Sequence, residues 1–180
     1  MDGKLNKELF STLLLSICCP QEKLLESLLS VLRSCLNFKV RIAAASAMLH
    51  LSSRTLLSKN YFPIWTALLE SLASSEQIND FAEYQHHERF EMQICTTICK
   101  LITLMTSDDL STLHEILIKY YDTCGLCFEK FLKSVLPDQL ELLLEASTHI
   151  QHMNMTTAYY LTPDKKSALN LFNDLLQLTH

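Results

Sequence analysis

The chain has 180 residues, 48% hydrophobic and 19% charged, so it can bury a sizeable core and is not a disordered segment. Two glycines and four prolines are too few for the turns of an all-β fold or of a glycine-turned nucleotide-binding sheet. A formal charge of −5 argues against broad attraction to nucleic acid or an anionic membrane, although it leaves room for a local basic patch.

The first expected helix, Lys4 to Cys18, carries Leu5, Leu9, Leu13 and Ile17 at helical spacing. Its apolar stretch from Leu9 to Cys19 imitates a signal peptide, but Glu8 precedes it and no small-residue cleavage signature follows, so it reads as a structural helix. Cys19-Pro20 is a break, and Pro20 can open the next helix because its missing N–H would be unpaired there. Leu24, Leu25, Leu28, Leu29, Leu32 and Cys35 form that helix's stripe. Asn37 is placed to cap a third helix, Phe38 to Leu51. Ser52, Ser53, Ser58 and Asn60 mark a connection that packs through Leu56 and Leu57.

Pro63 is expected to open a helix with the stripe Trp65, Leu68, Leu69 and Leu72, followed by a polar connector from Glu76 to Glu91. Phe90, Ile94, Ile98, Leu101 and Met105 mark the helix after it. Ser107 is the expected cap of the next, with Asp108 and Asp109 suiting its positive end and Leu110, Leu113, Leu117 and Tyr120 or Tyr121 on its stripe. Whether Gly125 ends that helix or it runs on to Leu136 is open from sequence. Pro137 starts another, with Leu140, Leu143, Leu144 and Ile150. Thr162-Pro163-Asp164 is a strong start signal for a last helix whose stripe is Leu169, Phe172, Leu175, Leu176 and Leu178. No strand pattern emerges, so the expected class is all-α, either a globular bundle or an α-solenoid.

Two stretches decide between these. Pro20 to Leu51 and Pro63 to Ile102 each read as helix, turn, helix, and aligning Ala44 with Cys95 also brings Ala47 onto Ile98 and Leu51 onto Ile102. Both second helices are dense in small residues, Ala43, Ala44, Ala45 and Ala47 in one and Cys95, Thr96, Thr97 and Cys99 in the other, which lets helices approach closely. The spacing is slightly longer than the roughly 40–47 residues of a two-helix repeat unit. The segment "NFKVRIAAASAML" resembles the second helix of a HEAT repeat, with Val40, Arg41, Ala44, Ala45 and Leu49 on that family's pattern. Taken with "IWTALLESL" and "QICTTICKLI", the stretch from Leu24 to Ile118 is similar to the C-terminal region of the HEAT-repeat-containing protein six family.

That resemblance implies an α-solenoid of armadillo-like helix pairs forming one domain over residues 1–180. Residues 1–19 would be the second helix of a truncated unit, 20–51 a repeat, 61–106 a repeat with the acidic connector, and 108–180 further helices and a C-terminal cap. It implies the C-terminal part or short form of a larger scaffold or adaptor, and no catalytic residues. The apolar face of the first helix would then be exposed, or covered by another segment.

Candidate chemistry is sparse. Seven cysteines, odd in number and with Cys18 and Cys19 adjacent, suit reduced thiols and an intracellular setting, cytoplasm or nucleus undecided. Cys124-Gly125-Leu126-Cys127 is a CxxC, but on helical background it lacks the strand-to-helix context that activates a redox thiol. Cys95 and Cys99 sit one turn apart as core residues. The most metal-like cluster is His86-His87 with Glu83, Glu88 and Glu91, yet adjacent histidines diverge on a helix; His149 and His152 share a face without an evident acid to complete a site. Asn154-Met155-Thr156 fits a glycosylation pattern that matters only in a secreted chain.

No catalytic residue, cofactor, metal, membrane or small-molecule substrate is therefore expected. The expected function is protein binding, and the candidate partner-contacting residues are Lys39, Arg41, Glu76, Asp80, Glu83, Glu88 and Glu91. Arg41 is also suited to tying neighbouring units through a carboxylate or carbonyl. Two alternatives stand behind this: a nucleic-acid-associated scaffold touching phosphates through Lys39, Arg41 and Lys100, and a cysteine redox or metal-binding protein.

Overall fold

A computed structural model of the chain describes residues 21–51, 54–75, 81–157 and 159–178, and every regular element among them is helical. The expected helix over Lys4 to Cys18 lies outside these residues. The helices are α1 Gln21–Ser34, α2 Phe38–Ala47, the single turn α3 Arg54–Leu57, α4 Tyr61–Ser75, α5 Phe81–Thr103, α6 Leu110–Ser134, α7 Pro137–Thr157 and α8 Pro163–Leu175.

Most boundaries follow the local signals. Asn37 caps α2, its Oδ1 accepting from the Val40 amide at 3.2 Å. The helix expected to reach Leu51 stops at Ala47 and tightens into a 3-10 turn over Met48–His50, which seats Met48 in the core. Leu57 is buried, as a packed connection requires. The helix expected from Pro63 starts earlier, at Tyr61, since proline is tolerated throughout a helix's first turn.

Two other boundaries differ from expectation, and one that the sequence leaves open is decided. The connector over Glu76–Glu91 is helical from Phe81 onward, because Phe90 and Ile94 extend a stripe that reaches back into its polar half. Ser107 does not cap α6: the turn over Ser107–Asp109 places Leu110 first in the helix. The Asp109 carboxylate instead reaches back to Thr106, accepting from its amide at 2.9 Å and from its hydroxyl at 2.8 Å. Gly125 lies inside α6, which continues to Ser134; a lone glycine costs helix only about 1 kcal/mol, and the surrounding Cys124, Cys127, Phe128 and Phe131 are buried.

The helices pack in two rows. α1 packs on α4, α4 on α6 and α6 on α8, while α2 packs on α5 and α5 on α7. Cross-contacts of α1 with α2, α4 with α5, α5 with α6 and α7 with α8 join the rows. The core runs between them through Leu25, Leu32, Trp65, Leu68, Ile94, Ile98, Phe128 and Phe172, with the Trp65 and Phe172 rings edge to face at 5.9 Å.

A helix leaves its last four carbonyls without an intrahelical amide. In this protein neighbouring helices reach several of those carbonyls with side chains. Ser71 of α4 donates to Leu32 O of α1 at 2.9 Å, and Tyr61 donates to Leu101 O of α5 at 2.8 Å. Thr97 of α5 lies 3.1 Å from Ala45 O of α2, its proton shared with Gln93 O of its own helix at 2.8 Å. The His149 ring of α7 meets Met105 O, just past α5, through Nε2 at 2.8 Å. Ser71 and Thr97, small residues at the crossings, thus bring helices close and satisfy their ends, and Tyr61 and His149 reach others with longer side chains.

Candidate functional site

The seven residues expected to contact a partner separate by burial. Glu76 and Asp80 lie outside the described residues, and Glu83 falls in α5, whose backbone alone is described there. Lys39 and Glu88 are exposed on α2 and α5. Arg41 and Glu91 are not on the surface: they are 2% and 6% exposed.

Arg41 is enclosed by the α1–α2 and α4–α5 pairs. Its guanidinium lies 4.4 Å from the Phe90 ring centroid and 5.6 Å from that of Phe38, and Nη2 donates to Ser71 O at 3.1 Å. Burial holds its pKa below the ordinary arginine value. The carbonyl bond ties α2 to α4, and burial removes Arg41 from any basic surface patch. Glu91 sits one turn before Cys95 on the face of α5 turned to α6. Its carboxylate accepts from Cys127 Sγ at 3.6 Å and pairs with Lys130 Nζ at 3.3 Å, and His87 Nδ1 approaches at 3.8 Å. Reading residues 76–91 as a loop hid it, whereas its position between Phe90 and Ile94 on a helical stripe places it inside.

Four of the five described cysteines are core residues, and Cys35 is half-buried. Cys95, Cys99, Cys124 and Cys127 are all at most 5% exposed. Burial pushes the Cys95 and Cys124 thiols well up and Cys99 up to about 12, opposite to the lowered pKa of a redox-active thiol. Among the described residues no group of three or more His, Cys, Asp or Glu has the geometry to hold a metal ion.

A concavity lies elsewhere, between α5 and α7. Thr103 faces Glu141, Leu144, Glu145, Thr148 and His152 across a shallow groove of about 580 Å³. Glu141, Glu145 and His149 succeed one another at single-turn spacing and line the groove, without forming a group that could hold a metal ion. His149 is engaged with Met105 O and belongs to the helix-end network.

Beside the groove the packing departs most from the sequence reading. Leu140 and Leu144, expected in the core stripe of α7, are 42% and 57% exposed, while Leu143, Ala146, Ile150 and Met153 are buried. The helix is apolar on two sides, and periodicity alone does not choose between them.

No family model matches the chain, and no solved structure matches it. An uncharacterized protein of Dictyostelium discoideum is 30% identical over 105 residues, which cover 58% of this chain and 7% of that protein. The chain therefore spans a small fraction of this relative's length, and similarity is concentrated in one stretch of both.

Proposed function

We propose that the chain is a non-enzymatic scaffold or adaptor that binds a protein partner through a helical-repeat surface, built as an α-solenoid of HEAT-like helix pairs. The observation that carries this reading is the packing order in two rows, α1–α4–α6–α8 and α2–α5–α7. Packing of each pair on the next is how a repeat protein builds its core, and such proteins expose long helical faces suited to binding. Arg41, bridging successive pairs through Ser71 O, adds to it.

The nucleic-acid alternative draws less support, because Arg41 is buried and the net charge is −5. Affinity purification of the full chain from cell extract, with and without nuclease and repeated with Glu88→Lys, tests the proposal. Specific protein partners that survive nuclease treatment are expected. Partners that all depart with the nucleic acid would sink it, and a Glu88→Lys variant with an unchanged set would drop the acidic stretch from the interface.

A further inference from the structure

The chemistry of α7's outer face goes beyond the general proposal. Leu140 and Leu144, 42% and 57% exposed, are one turn apart and so share one side of the helix, and Leu136, 55% exposed, lies just before its first residue. The side that carries Leu143, Ala146, Ile150 and Met153 is buried. α7 is the last helix described in its row: α5 packs on it from one direction and α8 joins it from the other row, leaving the leucine side exposed, with Thr103 of α5 across the groove from Leu144. The charged residues of Pro137–Thr157 are Asp138, Glu141 and Glu145, with no lysine or arginine. Glu141 and Glu145 line the groove beside Leu144, so apolar stripe and acidic groove form one continuous surface.

We infer that this surface docks one amphipathic helix of a partner protein whose apolar side seats on Leu136, Leu140 and Leu144 and whose flank carries lysine or arginine over Glu141 and Glu145. Exposed leucines at this spacing match the anchor pattern of helix-to-helix recognition, with roughly i, i+4 and i+7 contacts on the incoming helix. The charge selects the occupant. A second copy docking by two-fold symmetry would bring α7 against α7 and set carboxylates against carboxylates, which opposes association. A basic helix gains there, and its long side chains fit the open groove.

The inference rests on the partner-binding reading, so the experiment separates the two. A synthetic amphipathic helical peptide with leucine on one side and lysine along one flank is titrated into the full chain, alongside a twin with glutamate in place of lysine. Binding is followed by anisotropy and by chemical shifts. The lysine peptide is expected to bind at least about tenfold tighter than its twin, with shifts confined to α7 and the end of α5. Glu141→Lys with Glu145→Lys should reverse the preference, and Leu140→Ser with Leu144→Ser should abolish binding. These residues are exposed, so the variants are expected to fold, which circular dichroism checks. Equal binding of the twins, no binding of the lysine peptide, or shifts away from α7 would overturn the assignment. So would a concentration-dependent dimer that the leucine variant dissolves. If that same variant keeps its affinity-purified partners while the peptide fails, the α7 assignment falls and the partner-binding reading stands. Absence of any specific partner for the wild-type chain overturns the broader reading instead.

Discussion

Ser71 Oγ donates to the carbonyl of Leu32 at 2.9 Å, joining α4 to the C-terminal turn of α1. That carbonyl has no amide four residues on within α1, and both residues are fully buried. Ser71→Ala keeps the close approach and leaves the carbonyl unpaired, a loss of about 1–2 kcal/mol. Ser71→Val forces a larger group between the helices and should cost more, about 2–3 kcal/mol, as overpacking adds to the lost bond. Chemical denaturation of the two variants checks the order; equal midpoints for Ser71→Ala and wild type would mean the bond contributes nothing.

The same side chain shows what the sequence tells a reader. Small residues at a helix crossing are legible, and so is an arginine following Asn37 and Val40 that reaches a neighbouring carbonyl. The helix stripes were legible too, because burial along one side leaves a 3.6-residue period. Glu91 and Leu144 were not. A glutamate amid polar residues reads as solvated until Phe90 and Ile94 are recognised as parts of the same helix. On α7, Leu140, Leu143, Leu144 and Ile150 supply two apolar sides, and only the placement of α5 and α8 decides which is covered. Glu141 and Glu145 were missed as groove residues for the same reason: their neighbour across the groove, Thr103, is about forty residues away in sequence.

Arg54 and Asp109 give an acid-sensitive link. Arg54 Nη2 donates to Oδ1 at 2.7 Å and Nε to Oδ2 at 3.1 Å, while the guanidinium stacks 4.2 Å from the Tyr61 ring centroid. Burial alone would raise the Asp109 pKa, but the hydrogen bonds from Arg54 and Thr106 outweigh it and hold the carboxyl below its ordinary value of 3.8. Because the folded-state value is the lower, the contribution is fully present above the ordinary value of 3.8 and is lost as pH falls from there through the folded-state value. Thermal melts of wild type should lose stability below about pH 4, and Asp109→Asn should flatten that part of the profile. Arg54→Ala is expected to cost about 2–3 kcal/mol at neutral pH, between the cost of an exposed and a buried pair. An acid limb unchanged in Asp109→Asn would assign the titration to another group.

The thiols predict the opposite limb. Cys95, Cys99 and Cys124 have pKa values raised by burial, so the folded state holds their protons longer than the unfolded chain does. Their contribution is complete below the ordinary thiol value of 9.0 and declines as pH rises above it, toward about 12 for Cys99. A thiol reagent at neutral pH should leave these three unmodified in the folded chain and label them only after unfolding in guanidinium. Cys124→Ala should cost less than Cys124→Ser, whose hydroxyl would be buried without a designed partner at about 1–3 kcal/mol. Rapid labelling of Cys124 in the native protein would revive the redox reading of the CxxC.

The end of α8 supplies a stabilising substitution. Gln177 has φ of 51°, in the left-handed region. Its amide donates to Asp174 O at 3.1 Å and that of Leu178 to Asn173 O at 2.8 Å, the paired bonds of a Schellman motif. Glycine normally occupies this position because a Cβ in left-handed backbone costs roughly 1–2 kcal/mol. Gln177→Gly removes that strain but gives the unfolded chain more freedom, which returns part of the gain. A net stabilisation of about 0.5–1 kcal/mol is expected, or about 1–4 °C in Tm for a chain of this size. Gln177→Val should lower Tm, since a β-branched residue tolerates this backbone worst. A Gln177→Gly variant melting at or below wild type would show that the helix end adopts another backbone in solution, and with it that the two closing hydrogen bonds are not what terminates α8.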